Sequence, residues 1–216
     1  MIKRNPSPNQ ADERHIDGFR TTVTAVISDN LERLPGVVGL RPYHRQSGVM
    51  VGTAFTVQTR PGDNLAIHEA LEHVRPGDVL VVDGAADLSR ALIGEIIVQI
   101  AIWKKLSGLV IEGAIRDSGS IARSDLPCFA RGVTHKGPYK DGPGEINVPI
   151  CVGGMVIQPG DIVVGDEDGV VAFPATIAVG LLKAVREQEA REAEMIKSIH
   201  EGRYKGSYGK LGGVAR

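Results

Sequence analysis

Apolar residues recur at helical spacing near both ends of the chain. At the start, one helical face is formed by residues three, one and four positions apart, namely Val23, Val26, Ile27 and Leu31. We therefore predict a helix over 21–34, preceded by a polar arm over 1–20. Near the other end, the pattern predicts one long helix over 176–201, which is followed by a glycine-rich, basic tail over 202–216.

Between these helices, short apolar runs alternate with turn residues. The runs that we interpret as strands are 49–57, 79–82, 109–111, 148–152, 155–157, 162–164 and 170–173. Two further helices are predicted, over 64–73 and between 89 and 106. Pro-Gly-Asp occurs at three turns, 61–63, 76–78 and 159–161, where proline presets φ and glycine accepts a positive φ. We assign these turns a structural role, and we interpret 166–168 as a solvated turn between strands.

This mixture of strands and helices predicts an α/β fold with a mixed sheet. We divide the chain into an N-terminal arm (1–20), a single α/β domain (21–175), and a C-terminal helix with its tail (176–216). The long helix then forms an appendage to the domain, and we see no linker that would divide the domain further.

Composition narrows the function classes. The 216 residues are 42% hydrophobic, and 25 Lys and Arg face 26 Asp and Glu, so the chain suits an ordinary globular protein and lacks the basic field of a general nucleic-acid binder. The most apolar stretch, 91–103, contains Glu95 and Gln99 and falls short of the roughly 18–20 residues of a membrane span. Residues 1–20 lack the apolar region of a secretory signal.

The two cysteines and the histidines offer little chemistry. Cys128 and Cys151 stand in apolar surroundings, so we expect inert core thiols, no disulfide framework and a reducing cytoplasm. His68 and His73 are five positions apart and do not share a helical face well, which disfavours a histidine metal site. Phosphate-binding loops, dinucleotide fingerprints and nucleophile elbows are absent from the sequence.

One pair of segments suggests a site, 94–97 and Arg116-Asp117. Glu95 interrupts an apolar run, and a buried unpaired carboxylate is costly, so it must meet solvent, a cation or a donor. If a helix starts after Gly94, its free N–H groups can bind an anion. Arg116 offers a fork for a carboxylate, and Asp117 offers oxygens that suit Mg²⁺ or Mn²⁺. The alternative is that Arg116 pairs with a nearby acid while Glu95 only faces water.

The order and spacing of short motifs resemble one known protein family. The motifs in the second half are Gly94-Glu95-Ile96-Ile97, Gly113-Ala114-Ile115-Arg116-Asp117, Gly153-Gly154 and Asp166-Glu167-Asp168-Gly169-Val170. Those in the first half are Gly52-Thr53-Ala54-Phe55-Thr56, Pro61-Gly62-Asp63-Asn64 and Pro76-Gly77-Asp78-Val79. Over about 21–201, the chain resembles the family that contains 4-hydroxy-4-methyl-2-oxoglutarate aldolase and the regulator of ribonuclease E activity.

The resemblance implies a three-layer β/β/α domain of the swivelling type with a C-terminal helical extension. It also implies a homotrimer or homohexamer whose active site lies at the subunit interface. The residues implied to hold the pyruvate part of the substrate, through backbone N–H groups, are Gly94, Glu95, Ile96 and Ile97. By the same resemblance, Arg116 binds the substrate, Asp117 ligates a divalent metal, and Glu95 orders water on that metal. A glutamate from the neighbour's C-terminal helix completes the site, with Glu192 as the best match and Glu189 next.

These parts fit the cleavage of a 4-hydroxy-2-oxo acid between C3 and C4, which leaves negative charge on a pyruvate enolate. A divalent ion stabilises the enolate as a Lewis acid, and Arg116 adds fixed positive charge. The expected base is a water on the metal, held by carboxylates such as Glu95 and Glu192. Because oxaloacetate forms the same enolate when it loses CO₂, oxaloacetate decarboxylation should accompany aldol cleavage.

Two alternative functions stay open at this point. One is a non-catalytic protein that binds and inhibits a ribonuclease, as the other branch of the family does; the other is a related lyase that acts on a different oxo acid. His135 and Lys136, in a loop rich in glycine and proline, are candidates for contact with a distal substrate carboxylate.

Overall fold

The computed structural model describes residues 1–33, 36–45 and 48–206. The strands in these ranges are β1 (Ile2–Arg4), β2 (Arg41–Pro42), β3 (Met50–Thr59), β4 (Asp78–Asp83), β5 (Ala91–Ile93), β6 (Gly108–Ile115), β7 (Cys128–Val133), β8 (Gly144–Ile146), β9 (Ile150–Val152), β10 (Met155–Ile157), β11 (Ile162–Asp166) and β12 (Gly169–Phe173). The α-helices are α1 (Glu13–Phe19), α2 (Thr24–Asp29), α3 (Leu65–Leu71), α4 (Glu95–Trp103), α5 (Ser118–Ile121) and α6 (Ala178–His200), which follows a 3₁₀ turn over Ala175–Ile177.

The centre of the fold is a mixed sheet in which β3, β4, β6 and β7 are parallel neighbours. β5 adds a short parallel pairing to the end of β6. The hairpin β11–β12 pairs antiparallel with β3, and β1 pairs parallel with β8. Because parallel strands end at the same edge, the segments that follow β5, β6 and β7 come together there.

Alternate residues of the central strands face two separate cores. Leu80 and Val82 of β4 pack with α3 and α4 on one face, while Val79 and Val81 pack with the β9–β10 hairpin on the other. A third cluster lies beneath α1, α2 and α6, around Phe19. The three-layer β/β/α class is therefore confirmed, together with the C-terminal helix.

The helix predicted between 89 and 106 is confirmed as α4, but the sequence did not predict the strand β5 that precedes it. Ala91–Ile93 pairs with β6, and the helix α4 begins only at Glu95. Apolar runs this short do not distinguish a buried strand from a buried helix by periodicity. The strand predicted over 109–111 is longer in the structure, because β6 continues to Ile115 and Gly113 lies at an irregularity in its register with β7. A side chain at position 113 would collide with Leu92, since a Cβ at that position would lie 2.8 Å from Leu92 Cδ1.

The N-terminal region is more ordered than the polar pattern predicts. The proposed arm contains β1 and α1, and the helix predicted over 21–34 spans only Thr24–Asp29; Leu34 lies outside the described residues. The turn at 166–168 is also not fully solvated. Asp166 is buried and accepts hydrogen bonds from the N–H and the hydroxyl of Thr24, both at 2.7 Å, so it caps the start of α2. The division into arm, domain and tail stays a prediction.

The C-terminal helix α6 agrees closely with the predicted range of 176–201. Its first half is buried through Leu181 and Val185 against α1 and α2. Its second half leaves Ile196 and Ile199 about half exposed. The predicted tail lies outside the described residues from 207 onward. Within the described ranges, no helix combines the length and apolar character that a membrane crossing needs.

The cysteines differ from each other. Cys128 is fully buried, and burial raises the pKa of its thiol to about 12, so this residue is an inert core thiol as predicted. Cys151 is exposed, which corrects the prediction that both thiols lie in the core. It lies in the middle of the three-residue strand β9, where successive side chains point to opposite faces.

Candidate active site

The two segments singled out in the sequence meet at the carboxyl ends of β5 and β6. Ile93 and Ile115 are paired in register, so Gly94 and Arg116 follow them side by side. The Arg116 N–H donates to the Ile93 carbonyl at 3.0 Å and extends the pairing by one residue. The two segments are therefore brought together by the parallel pairing of β5 and β6, and β5 was not predicted from the sequence.

Gly94 permits this close packing. A Cβ at this position would lie 2.5 Å from Asp117 Oδ2 and 2.9 Å from Arg116 Cγ, which is too close for any larger residue unless these side chains move. Gly94 also caps α4 in an extended conformation, so the chain turns directly from β5 into the helix. The glycine thus brings the helix start against both functional side chains.

Asp117 is held by its backbone and by one hydrogen bond. Its φ of 58° places it in the left-handed region, directly before α5. Its Oδ2 accepts the N–H of Glu95 at 3.0 Å and lies 3.7 Å from Arg116 Nε. Its side chain is 43% exposed, so the second carboxylate oxygen remains available. A non-glycine residue at positive φ is uncommon and here points to a constraint at the site.

The first turn of α4 contributes backbone donors. Because the first N–H groups of a helix have no intrahelical acceptor, the amides of Ile96 and Ile97 are available beside Arg116. Glu95 is exposed, as the cost of burying a lone carboxylate predicts. The Ile97 side chain is buried, whereas that of Ile96 is 72% exposed.

A small cavity of about 110 Å³ opens next to these groups. Its lining is Asn64, His68, Leu92, Ile93, Gly94, Ile96, Ile97, Arg116, Pro138 and Lys140. The volume is below the roughly 300–1,000 Å³ typical of pockets for drug-sized ligands, so it suits a small acid. Arg116, Lys140 and the helix start make its surroundings positive. The lining does not include Glu95 or Asp117, which lie beside it on the protein surface.

Loop 134–143, which follows β7, supplies one wall of the cavity. Arg90 fixes this loop: its guanidinium donates to the Gly137 carbonyl at 2.8 Å and to the Tyr139 hydroxyl at 2.9 Å, and it stacks 4.0 Å above the Tyr139 ring. Lys140, the next residue, thereby reaches the cavity. The structure places His135 and Lys136 outside the lining, although both belong to the same loop.

Asp63 fixes the other end of this loop. Its carboxylate is fully buried and accepts the N–H groups of Leu65, Asp141 and Gly142 at 2.8–3.0 Å. Arg60 adds a charged hydrogen bond at 3.0 Å. Burial by itself raises the pKa of Asp63, but these donors outweigh it and hold the pKa below its ordinary value.

Two of the cavity residues that the sequence analysis did not assign to a site lie at the start of α3. Asn64 is 3% exposed and donates from Nδ2 to the Leu92 carbonyl at 3.0 Å, while its Oδ1 has no hydrogen-bond partner among the described residues. His68 lies one turn later and is partly buried. Burial lowers its pKa, and the charge of Lys140 lowers it further. The only signal in the sequence was the position of Asn64 directly after a Pro-Gly-Asp turn.

The two C-terminal glutamates bond within their own chain. Glu192 accepts a hydrogen bond from Gln188 at 2.8 Å, and Glu189 pairs with Arg186 at 2.8 Å. Both residues lie on α6, which packs on α1 and α2. The structure therefore does not bring either of them to Asp117 within one chain.

The residues present fit a metal site that relies mainly on ligands from outside the chain. In the described ranges, no three His, Cys, Asp or Glu side chains are grouped so as to hold a metal ion. Asp117 offers a hard carboxylate that is 43% exposed. Mg²⁺ commonly binds one or two carboxylates and keeps several waters or substrate oxygens, so a single protein carboxylate next to an anion cavity suits it.

Comparisons with known proteins identify the family and the fold. The family model described as RraA-like, Aldolase/RraA, matches residues 24–172. A Halalkalibacterium halodurans protein named "Putative 4-hydroxy-4-methyl-2-oxoglutarate aldolase" is 37% identical over 193 residues, 89% of this chain and 92% of that protein. An uncharacterized protein from Pseudomonas syringae pv. tomato has a similar structure, with a TM-score of 0.80 and 27% identity over 90% of this chain and 96% of that one. Streptomyces coelicolor RraAS2, described as an unusual member of the RNase ES inhibitor RraA protein family, gives a TM-score of 0.77 and 27% identity over 88% and 97%.

Proposed function

Because the chain belongs to the Aldolase/RraA family, we propose that it is a divalent-metal-dependent lyase that cleaves 4-hydroxy-2-oxo acids to pyruvate. The substrate is of the 4-hydroxy-4-methyl-2-oxoglutarate type, and the same site decarboxylates oxaloacetate. One observation carries the proposal: Gly94 lets a helix start approach both Arg116 and Asp117 so closely that a side chain at this position would collide with them. This places free amide donors, a guanidinium and a hard carboxylate within one small volume.

In this proposal the 2-oxo acid end of the substrate lies at the start of α4. Its carboxylate accepts hydrogen bonds from the backbone amides of Ile96 and Ile97, which the helix leaves free. Arg116 lines the same cavity and adds a planar charged donor to the 2-oxo acid group. Because these donors belong to a strand end and a helix start, they are oriented before the substrate binds.

Bond cleavage between C3 and C4 moves negative charge onto the oxygen of the pyruvate part. Arg116 stabilises this charge because its guanidinium brings positive charge to the same cavity. Asp117 would hold the divalent cation, which supplies Lewis-acid stabilisation of the same charge when bound. The proton of the C4 hydroxyl leaves through water held by Glu95 and by the partner subunit's Glu192, and the same water returns a proton to C3 of the enolate, which gives pyruvate.

A homo-oligomer is part of this proposal, because the cavity and the C-terminal helix both leave apolar surface uncovered. Beside the cavity, Ile96 and Trp103 of α4 are 72% and 77% exposed. Contact between copies through this surface would cover these side chains and bring a second chain to the edge of the site. The choice of a trimer or hexamer and the contribution of Glu192 rest on the family resemblance, and the exposed α4 surface supports only contact between copies.

A coupled pyruvate-release assay tests the function. The purified protein is treated with EDTA and supplied with 4-hydroxy-4-methyl-2-oxoglutarate or oxaloacetate, with and without added Mg²⁺ or Mn²⁺. We expect turnover of both substrates only with metal, above a protein-free blank that contains the same metal. Asp117→Asn should lower kcat/KM by about 10²–10³-fold, since it removes the cation's carboxylate ligand. Asp125→Asn, an exposed aspartate near α5, serves as the matched control and should retain full activity.

Two outcomes would contradict the proposal. The first is turnover that is unaffected by EDTA or by Asp117→Asn. The second is the absence of turnover with either substrate, combined with tight binding and inhibition of a ribonuclease, which would support the non-catalytic alternative.

A further inference from the structure

The guanidinium of Arg116 has no hydrogen-bond partner among the described residues. Its one ion pair there is with Asp117, whose Oδ2 lies 3.7 Å from Arg116 Nε, which is longer than a hydrogen bond. The side chain is 42% exposed, so burial does not fix it either. Packing must therefore orient this long side chain if it is to be in place before a ligand binds.

Two glycine backbones from different segments approach Arg116 closely. A Cβ at Gly94 would lie 2.9 Å from Arg116 Cγ and 3.1 Å from its Nε, whereas a Cβ at Gly137 would lie 3.0 Å from its Nη1. Gly94 precedes α4, and Gly137 belongs to loop 134–143. The stem of the side chain thus packs on one glycine and the end of the guanidinium on the other. The direction of the guanidinium therefore depends on where this loop lies.

Arg90 fixes the loop at the same point. Its Nη1 donates to the Gly137 carbonyl at 2.8 Å, and beside it the Ala91 N–H donates to the Lys136 carbonyl at 2.9 Å. Its Nη2 donates to the Tyr139 hydroxyl at 2.9 Å, and its guanidinium lies 4.0 Å from the centre of that ring. The fork of Arg90 therefore holds the residue on which the proposed substrate-binding guanidinium packs.

We propose that Arg90 is a positioning residue for Arg116 and acts through Gly137. Arg90 does not line the cavity; it holds the loop backbone against which the Arg116 guanidinium packs. This inference rests on the proposed function, in which Arg116 binds the 2-oxo acid group. A guanidinium that is oriented in advance loses less conformational freedom on binding and stays aligned with the negative charge that develops in the reaction.

The two contacts of Arg90 differ in what they fix. The bond to Gly137 holds the residue next to the substrate-binding guanidinium. The bond to Tyr139 holds a residue whose backbone is already tied to Gly62 and Asn64 by hydrogen bonds of 2.8 and 3.0 Å. Tyr139→Phe removes the hydroxyl and leaves the Gly137 contact in place, so it is the matched control for Arg90→Gln.

A double-mutant cycle on turnover separates positioning from a general structural role. With 4-hydroxy-4-methyl-2-oxoglutarate and Mg²⁺, Arg90→Gln should lower kcat/KM about 10–30-fold, and Tyr139→Phe less than about threefold. Arg116→Gln alone should lower it about 10²–10³-fold. Because Arg90 acts through Arg116, the double variant should match Arg116→Gln within about twofold. Effects that multiply, or equal losses for Arg90→Gln and Tyr139→Phe, would overturn the assignment.

Gly137→Ala tests the same link with every anchor of the loop left in place, in case an Arg90 variant does not fold. The φ of Gly137 is not in the left-handed region, and the only neighbour within 4 Å of an added Cβ is Arg116 Nη1. We expect kcat/KM to fall about 3–10-fold in the wild-type background and to stay unchanged in Arg116→Gln. No loss in the wild type, or the same loss in both backgrounds, would contradict the proposal.

The order of the Arg116 side chain separates this inference from the proposed function. The heteronuclear NOE of the Arg116 Nε–H, assigned from its loss in Arg116→Gln, reports fast motion without any substrate. We expect a rigid Nε–H in the wild type and in Tyr139→Phe, and a mobile one in Arg90→Gln. If this holds while no hydroxy acid is cleaved, the positioning role stands and the lyase fails. An unchanged NOE in Arg90→Gln overturns the positioning role, whether or not the wild type is active.

Discussion

Asp63 and Asp117 both lie just before a short helix, yet their environments are opposite. Asp63 is fully buried, and its two oxygens are occupied by three backbone N–H groups and Arg60. Asp117 is 43% exposed, and one backbone N–H contacts one of its oxygens. A carboxylate whose acceptors are all occupied stabilises the fold, whereas one with a free oxygen can bind a ligand.

The difference shows how the cavity is built. Asp63 contributes nothing to the lining, but it joins the start of α3 to the loop that carries Lys140. Asp117 accepts the first amide of α4 and so leaves the next amides to a ligand. The first aspartate therefore positions the walls, and the second belongs to the proposed chemistry.

The largest expected effect on stability is that of Asp63→Asn. The substitution removes the charge and turns one acceptor into a donor that faces backbone N–H groups. We expect the free energy of unfolding at neutral pH to fall by about 3 kcal/mol in urea titrations. The matched substitution Asp117→Asn should change it by less than about 0.5 kcal/mol, since that site is on the surface. Equal losses of unfolding free energy in the two variants would contradict the different roles that we assign to Asp63 and Asp117.

Acid titration sharpens the same comparison. Because the fold lowers the pKa of Asp63, its contribution to stability is complete above the ordinary aspartate value of about 3.9 and is lost as the pH falls through the lower folded value. The stability gap between wild type and Asp63→Asn should therefore be constant from pH 7 to about 5 and narrow below about 4. A gap that widened towards acid would contradict the assignment.

A smaller effect, on activity and not on stability, is expected for Gly94→Ala. The added methyl group would collide with Asp117 and Arg116 and displace both, so kcat/KM should fall about 10–100-fold. Gly180→Ala is the matched control, because the space around Gly180 is open and the position is helical. That variant should keep its activity and gain up to about 1 kcal/mol of stability. Unchanged activity in Gly94→Ala would show that the close approach has no catalytic role.

The sequence predicted those parts of the candidate site that depend on residues close together in the chain. Arg116 and Asp117 follow an apolar run, and Glu95 had to meet solvent, a cation or a donor, so both features were visible without a structure. A helix that begins after Gly94 was also predicted conditionally, and the structure confirms it. The structural role of the Pro-Gly-Asp turns agrees with the Asp63 carboxylate, whose partners among the described residues are backbone N–H groups and Arg60.

What the sequence could not predict depends on contacts between distant segments. Asn64 and Lys140 meet in one cavity because Tyr139 bonds to the backbone at Asn64 and Gly62, while Asp63 holds the next residues of the loop. The strand β5 is three residues long and owes its existence to the neighbouring β6, since its own apolar pattern continues into the helix. Such features follow from the tertiary fold and cannot be predicted from the local spacing of residues in the sequence.

Binding of Mn²⁺, measured by paramagnetic relaxation of water protons with and without pyruvate, tests the central claim most directly. We predict stoichiometric binding to the wild type that pyruvate strengthens. Asp117→Asn should weaken this binding by at least about 10–100-fold, while Asp125→Asn should leave it unchanged. Equal Mn²⁺ affinity in wild type and Asp117→Asn, or no effect of pyruvate, would contradict a metal site on Asp117 beside a 2-oxo acid cavity.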